Sequence, residues 1–176
     1  VTIRRSRALQ SLMSVYFHLR AVPPSALRNS ATWFQRLFED DWDTVRERIG
    51  RHREEILDKL YGDVELLYCG IPPNHASEGP RTQVVLGGRP VLHTDPAVPP
   101  FLLLTASQVS RVAGFLESAD FDDLWRHART RLLRPYDTSD VEPEARGLFA
   151  ATHRDLTAFY ARTAEYGDAV VKWLVA

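Results

Sequence analysis

The strongest pattern of apolar and polar positions lies in the last third of the chain. Ala145, Leu148, Phe149, Thr152, Leu156, Phe159, Tyr160 and Thr163 recur at three- and four-residue spacing, and Arg146, Arg154, Asp155, Arg162 and Glu165 fall mostly on the other side. This spacing predicts one long amphipathic helix from about Glu142. Gly167 sits where the pattern ends and can take a positive φ without steric cost. The run Ala169-Val170-Val171-Lys172-Trp173-Leu174-Val175 is apolar and β-branched with one lysine, so it predicts a strand buried on both faces. A chain that closes with such a strand must insert it into a sheet made earlier, at or near the centre.

Nearer the start, Ser14 to Val22 alternates. Val15, Phe17, Leu19 and Ala21 face one way, and Tyr16, His18 and Arg20 face the other, as in a half-exposed strand. Pro23-Pro24 ends it, and a broken helical pattern runs on to about Glu39. The acidic turn Asp40-Asp41-Trp42-Asp43 favours a helix start. Val45, Ile49, His52, Ile56, Leu57, Leu60 and Tyr61 then read as one helix with Gly50 inside it. Gly62 divides it from Val64–Cys69, which ends at Gly70. Residues 71–80 are proline-rich and read as an exposed loop. Gln83–Leu86 and Pro90–His93 read as short strands about a Gly87-Gly88 turn, with Pro90 placing the second at an edge. Another loop covers 94–100. Phe101–Leu104 leads into Thr105-Ala106-Ser107-Gln108, which matches a capping box, and a further helix spans Asp120 to Leu133. The fold class is therefore α+β: a small, mostly antiparallel sheet with packed helices, a long C-terminal helix and a closing strand.

Composition narrows the function classes. The 176 residues suggest one domain, and a hydrophobic fraction of 44% supplies a core. A net charge of −1 gives no global field to collect nucleic acid or an anionic membrane. The lone Cys69 cannot form an internal disulfide, which fits the cytoplasm. No apolar run reaches the roughly 20 residues that span a bilayer. Met13 is the only methionine. The domain is expected over 13–176, after a flexible basic extension at 1–12 that carries Arg4, Arg5 and Arg7.

The order of motifs resembles the YfbM-like family of small bacterial proteins, a domain of unknown function. The resemblance rests on Met13-Ser14-Val15-Tyr16 with Leu19-Arg20-Ala21-Val22, and on Leu57-Asp58-Lys59-Leu60 through Leu66-Leu67-Tyr68-Cys69-Gly70. It continues in Val85-Leu86-Gly87-Gly88 followed by Leu104-Thr105-Ala106-Ser107-Gln108-Val109, and in Phe159-Tyr160 through Gly167-Asp168-Ala169-Val170. Leu60 stands where members often have tryptophan, and Ala106 where proline is usual. The resemblance implies an α+β fold and carries over no catalytic residue.

Several sets of residues are candidates for chemistry. Tyr16, His18 and Arg20 form a polar row, which Lys172 would join if the last strand pairs beside the first, opposite the face bearing Trp173. Such a row can floor a ligand pocket or be a plain solvated face, with Asp58 and Glu65 as ion-pair partners. His93 and Asp95, with His18 from a neighbouring strand, are the residue types of a metal triad; a loop histidine beside a turn explains His93 as well. Cys69 lacks a nucleophile motif and reads as a structural thiol. His153 reads as a surface or edge residue. Arg126, Arg129, Arg131 and Arg134 share a helix, but Asp122, Asp123 and Asp137 balance them, so nucleic acid is not the expected partner. Tyr136 and Asp137 form either a recognition loop or a polar connection. No nucleophile–base pair, carboxylate pair or complete metal set stands at diagnostic spacing. The reading is a non-catalytic binding module without a cofactor. Its partner is a small ligand or another protein, engaged through the loops at 71–80 and 94–100. The alternative is a small metal-dependent or hydrolytic enzyme using His18, Arg20 and His93.

Overall fold

The computed structural model describes residues 15–70, 79–136 and 139–175. Its strands are β1 (Tyr16–Val22), β2 (Glu54–Leu57), β3 (Arg89–Val91), β4 (Phe101–Leu104) and β5 (Ala169–Val175). They form one sheet in the order β2-β1-β5-β4-β3, and every pairing is antiparallel. The closing strand is thus central, as its composition predicts. The helices are α1 (Ala31–Glu39), α2 (Trp42–Ile49), α3 (Tyr61–Cys69), α4 (Pro80–Gln83), α5 (Ala106–Ser118), α6 (Phe121–Leu132) and α7 (Glu142–Glu165). The expected basic extension at 1–12 lies outside the described residues, as do positions 71–78 of the proline-rich loop and Asp137.

Both faces of the sheet are covered. Phe17, Leu19, Leu57, Leu104 and Val170 pack with α3, α5, α6 and α7 around Leu116, Trp125, Leu156 and Tyr160. On the other face Val22, Leu103, Val171 and Trp173 pack with Phe34, Leu37 and Phe38 of α1 and Val45 and Ile49 of α2. Phe101 and Trp173 stand 4.8 Å apart at the heart of this second core. β5 is apolar on both sides because both sides are buried.

Helix ends follow local chemistry. The Thr105–Gln108 capping box forms as predicted, with both reciprocal bonds present. The Asp120 side chain accepts from Asp122 N–H at the start of α6. Gly167 has φ +66° after α7. Asp168, fully buried, then meets Arg51 Nε at 2.8 Å and Arg53 Nη2. This double pair ties the segment before β2 to the start of β5.

Two predicted elements differ. The single helix expected from Val45 to Tyr61 stops at Ile49, because Gly50 takes a left-handed cap at φ +64°. Glu54–Leu57 becomes an edge strand on β1 instead. The expected strand at Gln83–Leu86 is the last residue of α4 and a turn, and β3 pairs with β4 rather than with it. The main-chain groups of that turn are bound by side chains. A Cβ at Gly87 would overlap the Thr82 carbonyl, so this glycine permits a close backbone approach.

Candidate functional site

The register of β1 on β5 decides the fate of the polar row. Cross-strand partners in an antiparallel pair share a face. Leu19 pairs with Lys172 and His18 with Trp173. Tyr16, His18 and Arg20 therefore lie on the Trp173 face, and Lys172 lies on the opposite one. The expectation that Lys172 joins the row is corrected by this register. Arg20 is only 4% exposed. Its Nε donates to Glu54 and its Nη1 to the Leu37 carbonyl. Its guanidinium lies 5.0 Å from the Phe38 ring centroid and 4.3 Å from that of Trp42. Arg20 thus fastens α1 and α2 to the sheet through Leu37, Phe38 and Trp42. His18 sits between Tyr16 and Phe38. Burial lowers its pKa, with Glu54 opposing the shift and Arg20 adding to it.

The metal set is not assembled either. The His93 Nδ1 accepts the Asp95 N–H at 2.9 Å, so the ring proton is on Nε2, which donates to Gln35 Oε1 at 3.1 Å. The ring stacks on Trp173 at 12°. The Asp95 carboxylate accepts the Ala97 N–H. Among the described residues no group of three His, Cys, Asp or Glu is placed to hold a metal ion.

On the helical face Lys172 is fully enclosed. Its Nζ donates to the Gln83 carbonyl at 2.7 Å. The Tyr160 hydroxyl donates to the Val84 carbonyl at 2.6 Å, and Glu65 accepts the Leu86 N–H at 2.9 Å. Side chains from β5, α7 and α3 therefore satisfy main-chain groups of Gln83, Val84 and Leu86, in the segment that the sequence suggests is a strand. Burial pulls the Lys172 amine down to about 7, against the field of Glu65. The Cys69 thiol donates to Glu65 at 3.0 Å. Burial and then that carboxylate push it up to about 12, which makes it a poor nucleophile. Glu65 thus belongs to this cluster and not to the His18 row, while Asp58 caps the Leu60 N–H. His153 is buried, not at the surface, and its Nδ1 bonds the Tyr68 hydroxyl at 3.0 Å. Of the acids expected to balance the α6 arginines, Asp123 pairs with Arg126, whereas Asp122 pairs with Arg146 of α7 and Arg129 pairs with Glu142.

A concave site missed by sequence reasoning lies where β2 meets α3 and α7. It is a pocket of about 150 Å³ whose apolar wall includes Leu57, Val64, Leu148 and Phe149. Glu55, Asp58 and Asp155 also line it, and no cationic side chain does. Burial raises the pKa of Glu55, and the charges of Asp155 and Glu54 add to the shift. Leu148 follows the inward register of α7 yet is 49% exposed. An apolar residue at a core register position that does not reach the core is the sequence-level signal, and it becomes visible only once β2 is recognised as a strand.

Among the described residues no helix is long and apolar enough to cross a membrane. No curated protein matches the sequence. The fold resembles the crystal structure of a protein of unknown function, YfbM from Escherichia coli. The TM-score is 0.63 at 15% identity, over 92% of this chain and all of that one. At that identity the likeness speaks for the fold alone. Residues 12–173 match the family described as "Domain of unknown function (DUF1877)", and the chain belongs to that family.

Proposed function

We propose that this chain is a non-catalytic binding module of the bacterial cytoplasm, and that its ligand is a segment of another protein carrying an apolar anchor beside positive charge. One observation carries the reading: the pocket between β2, α3 and α7 joins an apolar wall to three carboxylates with no cation among its lining residues. Its volume of about 150 Å³ is that of a cavity able to hold one benzene-sized group, which suits a single leucine-sized side chain. Uncompensated carboxylates around such a slot favour lysine or arginine flanking the anchor. The ionisable groups of the sheet and core favour this reading over catalysis. Arg20, His93 and Lys172 each bond internally, and the Cys69 thiol is held protonated.

The test uses a fluorescein-labelled peptide in which leucine and lysine take alternate odd positions with threonine between them, and the same peptide with glutamate for lysine as control. Fluorescence anisotropy should show saturable binding of the first and not the second, weakening as salt rises. Leu148→Lys, at a half-exposed position of the pocket wall, should abolish binding while leaving the thermal transition in place. Absence of saturable binding, or equal binding by Leu148→Lys, overturns the reading.

A further inference from the structure

We infer that the bound segment adds to the sheet as a sixth strand along the free edge of β2; this rests on the binding-module reading above. The sheet has two edges, β2 and β3. β3 is three residues long with Pro90 at its centre, and proline is one of the devices that blunt an edge against further pairing. β2 contains no proline and, among the described residues, is paired on one side only, by β1.

The direction of its main-chain groups follows from one bond. The Ala21 N–H donates to the Arg53 carbonyl at 3.1 Å. Groups alternate along an antiparallel ladder, so Arg53, Glu55 and Leu57 turn their N–H and C=O towards β1. Glu54 and Ile56 turn theirs outward. The Ile56 N–H is met there only by the carboxylate of its own neighbour, Glu55 Oε1, at 3.3 Å. That contact is long and strictly local, and an incoming carbonyl can replace it.

Side chains of an added strand would alternate as those of β2 do. Glu55 and Leu57 share the helical face, since they pair with Leu19 and Phe17. Side chains on that face of the new strand enter the pocket beside Leu57 and Phe149. Those on the other face lie along Ile56 and Tyr16, which are 43% and 44% exposed. The edge and the pocket are therefore one continuous surface: main-chain bonds supply affinity and the slot supplies selection, as in strand-addition recognition. Charge identifies the occupant as a partner that carries a basic residue two positions from its apolar anchor, on the face that meets Glu55 and Asp155. Two copies of this chain joined edge to edge would bring the Glu55 and Asp58 carboxylates of both edges together, and like charges on facing strands are destabilising.

The experiment compares three forms of the leucine–lysine peptide on the full chain. One is unmodified. The other two carry N-methyl groups on alternate amides, in the two possible phases, which removes main-chain donors without touching side chains. We expect one phase to bind about tenfold more weakly or worse, through lost bonds to the edge, and the other to bind as the parent does. Amide exchange at Ile56 should slow on binding. Ile56→Pro, which deletes the outward donor but no bond to β1, should weaken the parent peptide by a similar factor. Equal binding of both methylated phases, with Ile56 exchange unchanged, overturns strand addition while the binding module stands. Failure of the unmodified peptide to bind overturns both.

Discussion

Replacing Lys172 by methionine isolates the effect of one buried amine on folding. The amine is fully enclosed and its pKa falls from the ordinary 10.5 to about 7, chiefly through burial. Between those two values the unfolded chain holds a proton that the native state lacks. Native stability must therefore rise with pH across this window. One proton difference is worth about 1.4 kcal/mol per pH unit. From pH 7 to 9.5 the wild-type protein should gain on the order of 3 kcal/mol from this group. In the methionine variant that gain is absent. Below pH 7 the amine is charged in both states, so the burial cost is carried in full and the two curves run parallel.

The offset between the curves is a poorer guide than the slope. Methionine leaves the Gln83 carbonyl without its donor, a loss of about 1–3 kcal/mol, and removes the cost of burying an amine, which acts the other way. Tyr68, Tyr160 and Cys69 are all held neutral by burial. They lower stability as their unfolded counterparts ionise at high pH, in both proteins alike, so the comparison cancels them. Urea unfolding at half-unit steps from pH 6 to 9.5 measures the difference directly. Wild type should climb relative to Lys172→Met above neutrality. Parallel curves through that window would refute the assignment of a neutral lysine to the core.

Four further expectations follow from single residues. Asp168→Asn leaves Arg51 and Arg53 facing a neutral amide in a fully buried position; it should cost about 3 kcal/mol in urea unfolding, the lower end for a broken buried pair because both arginines reach solvent. Cys69, with its thiol near 12, should react with a disulfide reagent at pH 8 at least about a hundredfold more slowly in the native protein than in guanidinium; equal rates would show that the thiol is not held by Glu65. Gly147→Ala, in open space on α7, should stabilise by about 0.5–1 kcal/mol and raise Tm by a few degrees. Gly87→Ala should instead prevent normal folding, because its Cβ would overlap the Thr82 carbonyl.

What the sequence revealed of this fold divides along a physical line. Elements whose identity depends on their own periodicity or caps could be read directly. α7 has an apolar face, and β5 is apolar but for Lys172 because both its sides are buried. The α5 start is a closed capping box. Elements defined by a distant partner could not be read. Glu54-Glu55-Ile56-Leu57 has no strand pattern, and it is a strand because β1 offers it an edge and Asp168 draws Arg51 and Arg53 to the sheet. Val84-Val85-Leu86 has β-branched composition, yet Lys172, Tyr160 and Glu65 bind its neighbourhood as a turn.

The same line separates the two readings of the site. The alternation of Tyr16, His18 and Arg20 is a correct local fact, but which face of β5 meets it is set by register. A one-residue slip would put Lys172 where the polar row expects it. In the observed register the lysine turns inward to fasten a turn, and Trp173 takes its place beside His18. Arg20 of the polar row is then engaged in holding α1 and α2. The unspent surface moves to the β2 edge, where main-chain donors, an apolar slot and carboxylates without a lining cation coincide. Recognition in this protein is therefore expected at the strand whose existence depends most on tertiary partners.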